Sequence, residues 1–169
     1  MRVRPEAPGD HGVVFHIVSQ AFGNDAEAKL VDELRAAASP QISLVADEDG
    51  IVLGHIFFSP ATVGEGPDAR KIFALGPVGV RPDQQNRALG SALVRAGLER
   101  CLAIDEPVVV VLGHPPYYPR FGFRQAHEHG LYYKSRPGPN PAFMVAELRP
   151  GALEGLTGEV HYHPAFDAV

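Results

Sequence analysis

Between Leu75 and Leu93 the chain reads LGPVGVRPDQQNRALGSAL. An apolar, β-like run stops at Val80-Arg81-Pro82, a short polar segment follows, and an amphipathic stretch begins near Arg87. A strand, a loop and a helix in that order aim the helix's unbonded first amides and the positive end of its dipole at one place. Such a place binds phosphate or pyrophosphate through main-chain donors. Gly90 lets an anion come close to the backbone, and Arg87 adds a formal charge. The same layout also serves as an ordinary strand-to-helix crossover with a glycine for packing, and spacing alone leaves both readings open. Dinucleotide motifs fit less well. No G-x-G-x-x-G follows a strand, no G-x-x-x-x-G-K-[ST] occurs, and the segment lies mid-chain rather than in a first βα turn.

Other chemistries have weaker support. His127-Glu128-His129 and His161-Tyr162-His163 are two H-x-H pairs, a spacing that on a strand puts both imidazoles on one face. With no third ligand at a defined spacing, solvent-facing histidines are the expected reading and no metal is expected. Ser59 and Ser91 lack a nucleophile-elbow context, which speaks against a serine hydrolase. Cys101 falls on the apolar face of the predicted helix, so it reads as a buried small hydrophobe in a reducing cytoplasm rather than a catalytic thiol. The 169 residues carry a net charge of −5, with no Lys/Arg run, which makes nucleic acid an unlikely target. No wholly apolar stretch is longer than Val108–Leu112, which is far short of the ~20 residues that span a bilayer.

The elements that must position these groups can be read from periodicity. Met1–Arg4 reads as a first strand. Asp10 is placed to cap a helix carrying Val13, Val14, Ile17, Val18, Ala21 and Phe22, which Gly23 ends. Asn24 or Asp25 caps a second helix with Leu30, Val31 and Leu34 inward. Ile42–Ala46 and Ile51–Phe58 flank an acidic, Gly-bearing turn and read as a hairpin, and Lys71–Val80 follows as a third strand of the set. Leu89, Leu93, Val94, Leu98, Cys101 and Leu102 define the long helix, and Val108–Leu112 a strand buried on both faces. Ser135–Pro141 must be a loop; Phe143–Leu148 and Glu159–Tyr162 are late strands. The order β-α-α-β-β-β-α-β-α-β predicts one α/β (α+β) domain over residues 1–169, with a mixed, mostly antiparallel sheet flanked by helices.

Val80 to Leu93 resembles the acetyl-coenzyme-A signature of the GNAT N-acetyltransferase superfamily, V-x-P-x-x-[QR]-x-x-G-x-[GA]-x-x-L. Gln85 falls on the Gln/Arg position and Gly90 on the second Gly/Ala. Ala88 stands where the first glycine is usual, which is tolerable if residue 88 has helical geometry in the first turn of the helix and damaging if the position needs φ > 0 or close contact with the diphosphate. The run Leu112–Phe123, LGHPPYYPRFGF, is similar to the family's tyrosine followed by Gly-Phe. With Glu147–Tyr162 it resembles the YhbS-like branch of predicted acetyltransferases, a likeness running from about Val3 to Phe166.

The resemblance implies a GNAT-like acyl-CoA N-acyltransferase fold, acetyl-CoA as co-substrate without a metal, and direct attack by a small-molecule or peptide amine in a ternary complex. It implies pantetheine pairing along Val78, Gly79 and Val80, helped by a splay at Gly76-Pro77. It implies a diphosphate cradle of Gln85, Asn86, Arg87, Ala88, Leu89, Gly90 and Ser91. Tyr118 falls at the family's general-acid position, with Tyr117 as its neighbour and rival. No Asp or Glu lies in Lys71–Val80, so the base falls to His114, with His55, Glu27 and Glu33 as alternatives. No nucleic acid or membrane partner is expected, and the protein is expected to be a cytoplasmic monomer or homodimer. A protein of the same fold that binds acyl-CoA as a sensor, without catalysis, is the rival reading.

Overall fold

The computed structural model describes residues Met1–Lys134 and Pro137–Val169. Residues Ser135 and Arg136 of the expected Ser135–Pro141 loop therefore lie outside the described residues. The chain's contacts group it into two compact units, each with its own apolar core. One comprises Met1–Ser59, Gly76–Gly97 and Pro164–Val169; the other comprises Pro60–Leu75 and Leu98–His163.

The first unit contains β1 (Arg2–Pro5), α1 (His11–Phe22), α2 (Ala26–Ala37), β2 (Ile42–Glu48) and the start of β3 (Ile51–Val63). It also holds the end of β4 (Arg70–Val80) and the first turns of α3 (Leu89–Ala103). β1 pairs antiparallel with β2, from Arg2–Asp47 to Pro5–Leu44, and β2 with β3, from Glu48–Ile51 to Ile42–Phe58. The hairpin turn is only Asp49-Gly50, with φ 54° and 86°, the two positive values that a type I′ turn requires. The strands are therefore longer than the predicted Ile42–Ala46 and Ile51–Phe58. Val14, Ile17 and Val18 of α1 and Leu30, Val31 and Leu34 of α2 meet Val45, Val52 and Phe57 in the core.

Asp10 does sit before α1, but its carboxylate does not cap that helix. It folds back to accept the Ala7 amide at 2.7 Å and the Arg4 guanidinium at 2.8 Å, while Arg4 also donates to Asp47 at 2.8 Å. Asp25 is the N-terminal flanking residue of α2, yet Asn24 Oδ1 accepts the Ala26 amide at 2.8 Å. Gly23 closes α1 in a left-handed conformation, as expected.

The second unit contains β5 (Val108–Leu112), β6 (Phe123–Gln125), β7 (Leu131–Tyr133), β8 (Phe143–Glu147) and β9 (Gly158–His161). β5 runs parallel to β4 over Phe73–Leu75 opposite Val109–Val111; β8 runs antiparallel to β5 along its whole length, and β6 antiparallel to β8. β9 pairs with the end of β3 at Thr62–His161 and with β7 in parallel. The hydrogen-bonded order is β1-β2-β3-β4-β5-β8-β6, with β7 and β9 off that path, so the sheet is mixed and mostly antiparallel.

Two features of the predicted order fail. The helix expected between β5 and the last strands is replaced by short 3-10 turns at Tyr118–Phe121 and Ala126–His129. Prolines at 115, 116 and 119 and glycines at 113 and 122 allow no longer helix there. β6 and β7 are three-residue strands, too short to show a period.

Candidate active site

The segment foreseen as an anion cradle leaves β4 in a defined geometry. β4's register with β5 ends at Leu75, and Gly76 follows with φ 140°, a conformation open only to glycine. Val78 and Val80 are half-buried; Gly79 is buried against α1, where a Cβ would lie 3.4 Å from that of Ala21. The Arg81 amide then donates to Leu53 O at 2.9 Å, tying the strand's end to β3. Pro82–Gln84 forms a 3-10 turn held by Gln84 N–H to Arg81 O at 2.8 Å and by a two-pronged Arg81–Asp83 ion pair. Gln85 is extended, with its side-chain amide donating to Val80 O at 3.3 Å.

The next residues reverse the backbone. Asn86 has φ 68° and Ala88 has φ 62°, and α3 begins at Leu89 rather than near Arg87. The Ala92 amide donates to Ala88 O at 3.1 Å, making Ala88 the flanking residue of the helix. Of the two geometries open to Ala88 from sequence, the structure has the costly one: residue 88 lies in the left-handed region, where a Cβ is strained, and not in a helical first turn. A helix cannot bond its own first amides, so the amides of Leu89 and Gly90 face the loop. Alternating backbone handedness ahead of a helix N-terminus is the geometry of an anion-binding concavity.

Arg87 was expected to lend its charge to this concavity. Its guanidinium is instead engaged by Glu48 at the end of β2, at 2.8 and 3.2 Å, and by Gln84 Oε1. The Arg87 guanidinium in turn holds the Glu48 carboxyl below its ordinary value. Glu48 thus shapes the loop without any local sequence signal, since it lies at the end of β2, 39 positions away.

His114 and Tyr118 lie in the other unit. Tyr118 opens the 3-10 turn after β5 and is only 6% exposed. Its ring meets Tyr117 and Phe123 edge-on, with centroids 5.1 and 5.6 Å away. It lies so close to Gly113 that a Cβ there would fall 2.3 Å from the ring. Burial, and then Tyr117, push the Tyr118 phenol up to about 12, so it keeps its proton throughout the neutral range. Tyr117 is half-buried beneath the Arg120 guanidinium, 4.5 Å from its ring centre. His114 is exposed and its carbonyl closes the turn by accepting the Tyr117 amide at 3.0 Å.

The remaining candidates separate by burial. His55 is fully buried on β3, its Nε2 2.8 Å from Ser43 Oγ and 3.5 Å from Glu6, and burial followed by Arg35 pushes it down to about 4. It is a core histidine. Glu27 is half-buried on α2 with Oε2 enclosed and unbonded, and Glu33 borders an open cleft of about 410 Å³ with Asp25 and Lys29. Cys101 is buried and its thiol is pushed up to about 12 by burial and then Glu106, which fits an inert core residue. Phe57 and Phe58 are wholly buried core residues. His127 and His129 sit in a 3-10 turn, not on a strand, so their two-residue spacing does not give them a common face. No helix among the described residues is long and apolar enough to cross a membrane.

A mixed, mostly antiparallel sheet flanked by helices, with a strand-loop-helix junction after its fourth strand, defines the class of acyl-CoA N-acyltransferase folds. The family model for the acetyltransferase (GNAT) domain matches residues 2–126, and the chain belongs to the GNAT acetyltransferase family. It is 38% identical over 168 residues to the uncharacterized N-acetyltransferase YhbS of Escherichia coli K12, covering 99% of both chains. A 1.55 Å crystal structure of Escherichia coli YhbS in complex with CoA superposes with TM-score 0.88 at 36% identity, covering 98% of this chain and 91% of that one. A GNAT family acetyltransferase from Brucella melitensis in complex with acetyl-CoA gives TM-score 0.80 at 35% identity, over 98% and 97% of the two chains.

Proposed function

We propose that residues 1–169 act as one acetyl-CoA-dependent N-acetyltransferase domain that acetylates a primary amine by direct attack in a ternary complex. The observation that carries this reading is the backbone from Gln85 to Gly90, with left-handed Asn86 and Ala88 ahead of the α3 N-terminus. The complexes of two relatives with CoA and acetyl-CoA support it. The diphosphate accepts hydrogen bonds from the amides of Gln85 to Ser91, and the pantetheine arm adds alongside Val78, Gly79 and Val80 as an extra strand would.

In the transfer the neutral amine attacks the thioester carbonyl, a C–N bond forms, the C–S bond breaks, and the amine's surplus proton leaves to a base. The departing thiolate takes a proton from Tyr118, giving the amide and free CoA. A phenol at about 12 is a weak acid towards a thiolate, so Tyr118 acts first as a fixed hydrogen-bond donor as charge develops on sulfur. His114, exposed at the head of the same turn, is the base. The net charge of −5 favours a cationic acceptor such as a polyamine, an aminoglycoside or a lysine side chain. Buried Cys101 suits a cytoplasmic setting.

The test is a thiol-release assay with acetyl-CoA over a panel of amines, with acceptor-free controls. Acceptor-dependent release of free CoA is expected. CoA binding without acceptor-dependent release from any amine would leave a non-catalytic acyl-CoA sensor as the better account.

A further inference from the structure

The end of β9 brings together three side chains that the transferase reading does not use. Glu159 and His161 are two residues apart on β9 and so share a face of the strand. Pairing of β9 with β3 at Thr62–His161 and Val63–Val160, and the Gly64 amide donating to Glu159 O at 2.9 Å, bring the following turn alongside and with it Glu65. One ligand atom from each residue lies within 4.8 Å of the other two. His161 Nε2 is 3.6 Å from Glu65 Oε1 and 3.7 Å from Glu159 Oε1.

Those separations are too long for hydrogen bonds, whose N···O distances end near 3.2 Å. His161 Nε2 is nevertheless enclosed, with no hydrogen-bond partner. The His161 side chain is 36% exposed, but its Nε2 is shut off from water and faces two carboxylate oxygens, the arrangement that three ligands of one cation share. A point equidistant from three atoms so spaced is about 2.0–2.4 Å from each, close to the 2.0–2.2 Å of zinc–nitrogen and zinc–oxygen bonds. We propose that Glu65, Glu159 and His161 bind one first-row divalent cation of the zinc type, fastening β9 to the turn between β3 and β4. The imidazole among the ligands favours zinc, cobalt or nickel over magnesium or calcium. Two carboxylates and a neutral imidazole balance the ion's charge, and the 80% exposure of the Glu65 side chain leaves room for water as a fourth ligand. The third ligand is a carboxylate from a distant turn rather than the second histidine of the H-x-H pair. The ion takes no part in acetyl transfer.

The experiment uses the full chain with cobalt(II) as a spectroscopic probe and zinc(II) by calorimetry and thermal unfolding. One equivalent of cobalt should give a visible absorption band that zinc abolishes, and zinc should raise Tm by several degrees, reversibly with EDTA. Glu65→Gln, on an exposed turn where folding is not at stake, and His161→Asn should each weaken binding at least tenfold. His163→Asn should leave it unchanged, and Glu65→Gln should leave thiol release unchanged. No saturable binding below millimolar metal, undiminished binding in Glu65→Gln or His161→Asn, or loss of binding in His163→Asn would each overturn the proposal.

Discussion

Replacing Ala88 with glycine tests the loop more sharply than removing any of its side chains, because the sign of the effect depends on one dihedral angle. Ala88 has φ 62° and flanks the N-terminus of α3. An L-residue in that region costs about 1–2 kcal/mol from the crowding of its Cβ, which glycine avoids. Glycine's freer unfolded chain takes back about 0.5–1 kcal/mol. Glycine is also preferred to alanine immediately before a helix. The balance is a gain of about 0.5 kcal/mol, or roughly 1–2 °C in Tm for a chain of this size. Without the Cβ a phosphate can also approach the backbone more closely, so affinity for CoA should stay equal or rise a few-fold. Differential scanning calorimetry with and without CoA, together with isothermal titration, reads both quantities. If residue 88 were helical, the same substitution would cost about 1 kcal/mol. A fall in Tm of 2 °C or more, or a tenfold loss of CoA affinity, would refute the reasoning.

Four further outcomes follow from the geometry. Tyr118→Phe should keep CoA affinity within a factor of about two while lowering kcat by about 10²-fold, seen by titration and steady-state thiol release; since the phenol is pushed up to about 12, no loss of rate below pH 10 should be traceable to it. Glu48→Gln removes the carboxylate that neutralises the Arg87 guanidinium while Gln84 still holds it, and should tighten CoA binding by about two- to threefold at low salt, the gain fading as salt is added. Gly97→Ala would put a Cβ 2.1 Å from the fully buried Phe58 ring and should destabilise by about 1–3 kcal/mol in urea titrations. His55 is pushed down from 6.5 to about 4, so its contribution is whole above pH 6.5 and declines as the unfolded chain alone takes up the proton. Stability should fall by about 3 kcal/mol from this group between pH 6.5 and 4, and His55→Leu should flatten that slope in denaturant titrations.

Much of the arrangement was legible where one residue decides a local geometry. Gly23 marked the end of α1; the acidic stretch Asp47–Gly50 marked the hairpin, although only Asp49-Gly50 turns; and Val108–Leu112 marked a strand that is buried from Val108 to Val111 and exposed at Leu112. The loop was legible as a strand-to-helix junction because its chemistry is in the backbone and its position in the chain. Its details were not. The handedness at Asn86 and Ala88 depends on how the loop is held at both ends, and the Glu48–Arg87 pair joins residues whose proximity exists only once β2 and α3 are in place. The zinc-type cluster was hidden for the same reason. Its spacing combines a strand pair with a turn nearly a hundred residues earlier, whereas the H-x-H spacing drew attention to His127 and His129, which share no strand face, and marked only one of the cluster's three members, His161. β6 and β7 were lost because three residues carry no period, and Asp10 because an ion pair with Arg4 competes with capping.

The central claim is that the main chain from Gln85 to Ser91 grips the diphosphate of an acyl carrier nucleotide. An amide-resolved NMR titration of the whole chain with acetyl-CoA addresses it directly. Saturable one-to-one binding at micromolar nucleotide is expected, with the largest shifts at Val78, Val80 and Gln85 to Ser91. No saturation at millimolar acetyl-CoA, or shifts that leave those amides still, would contradict it.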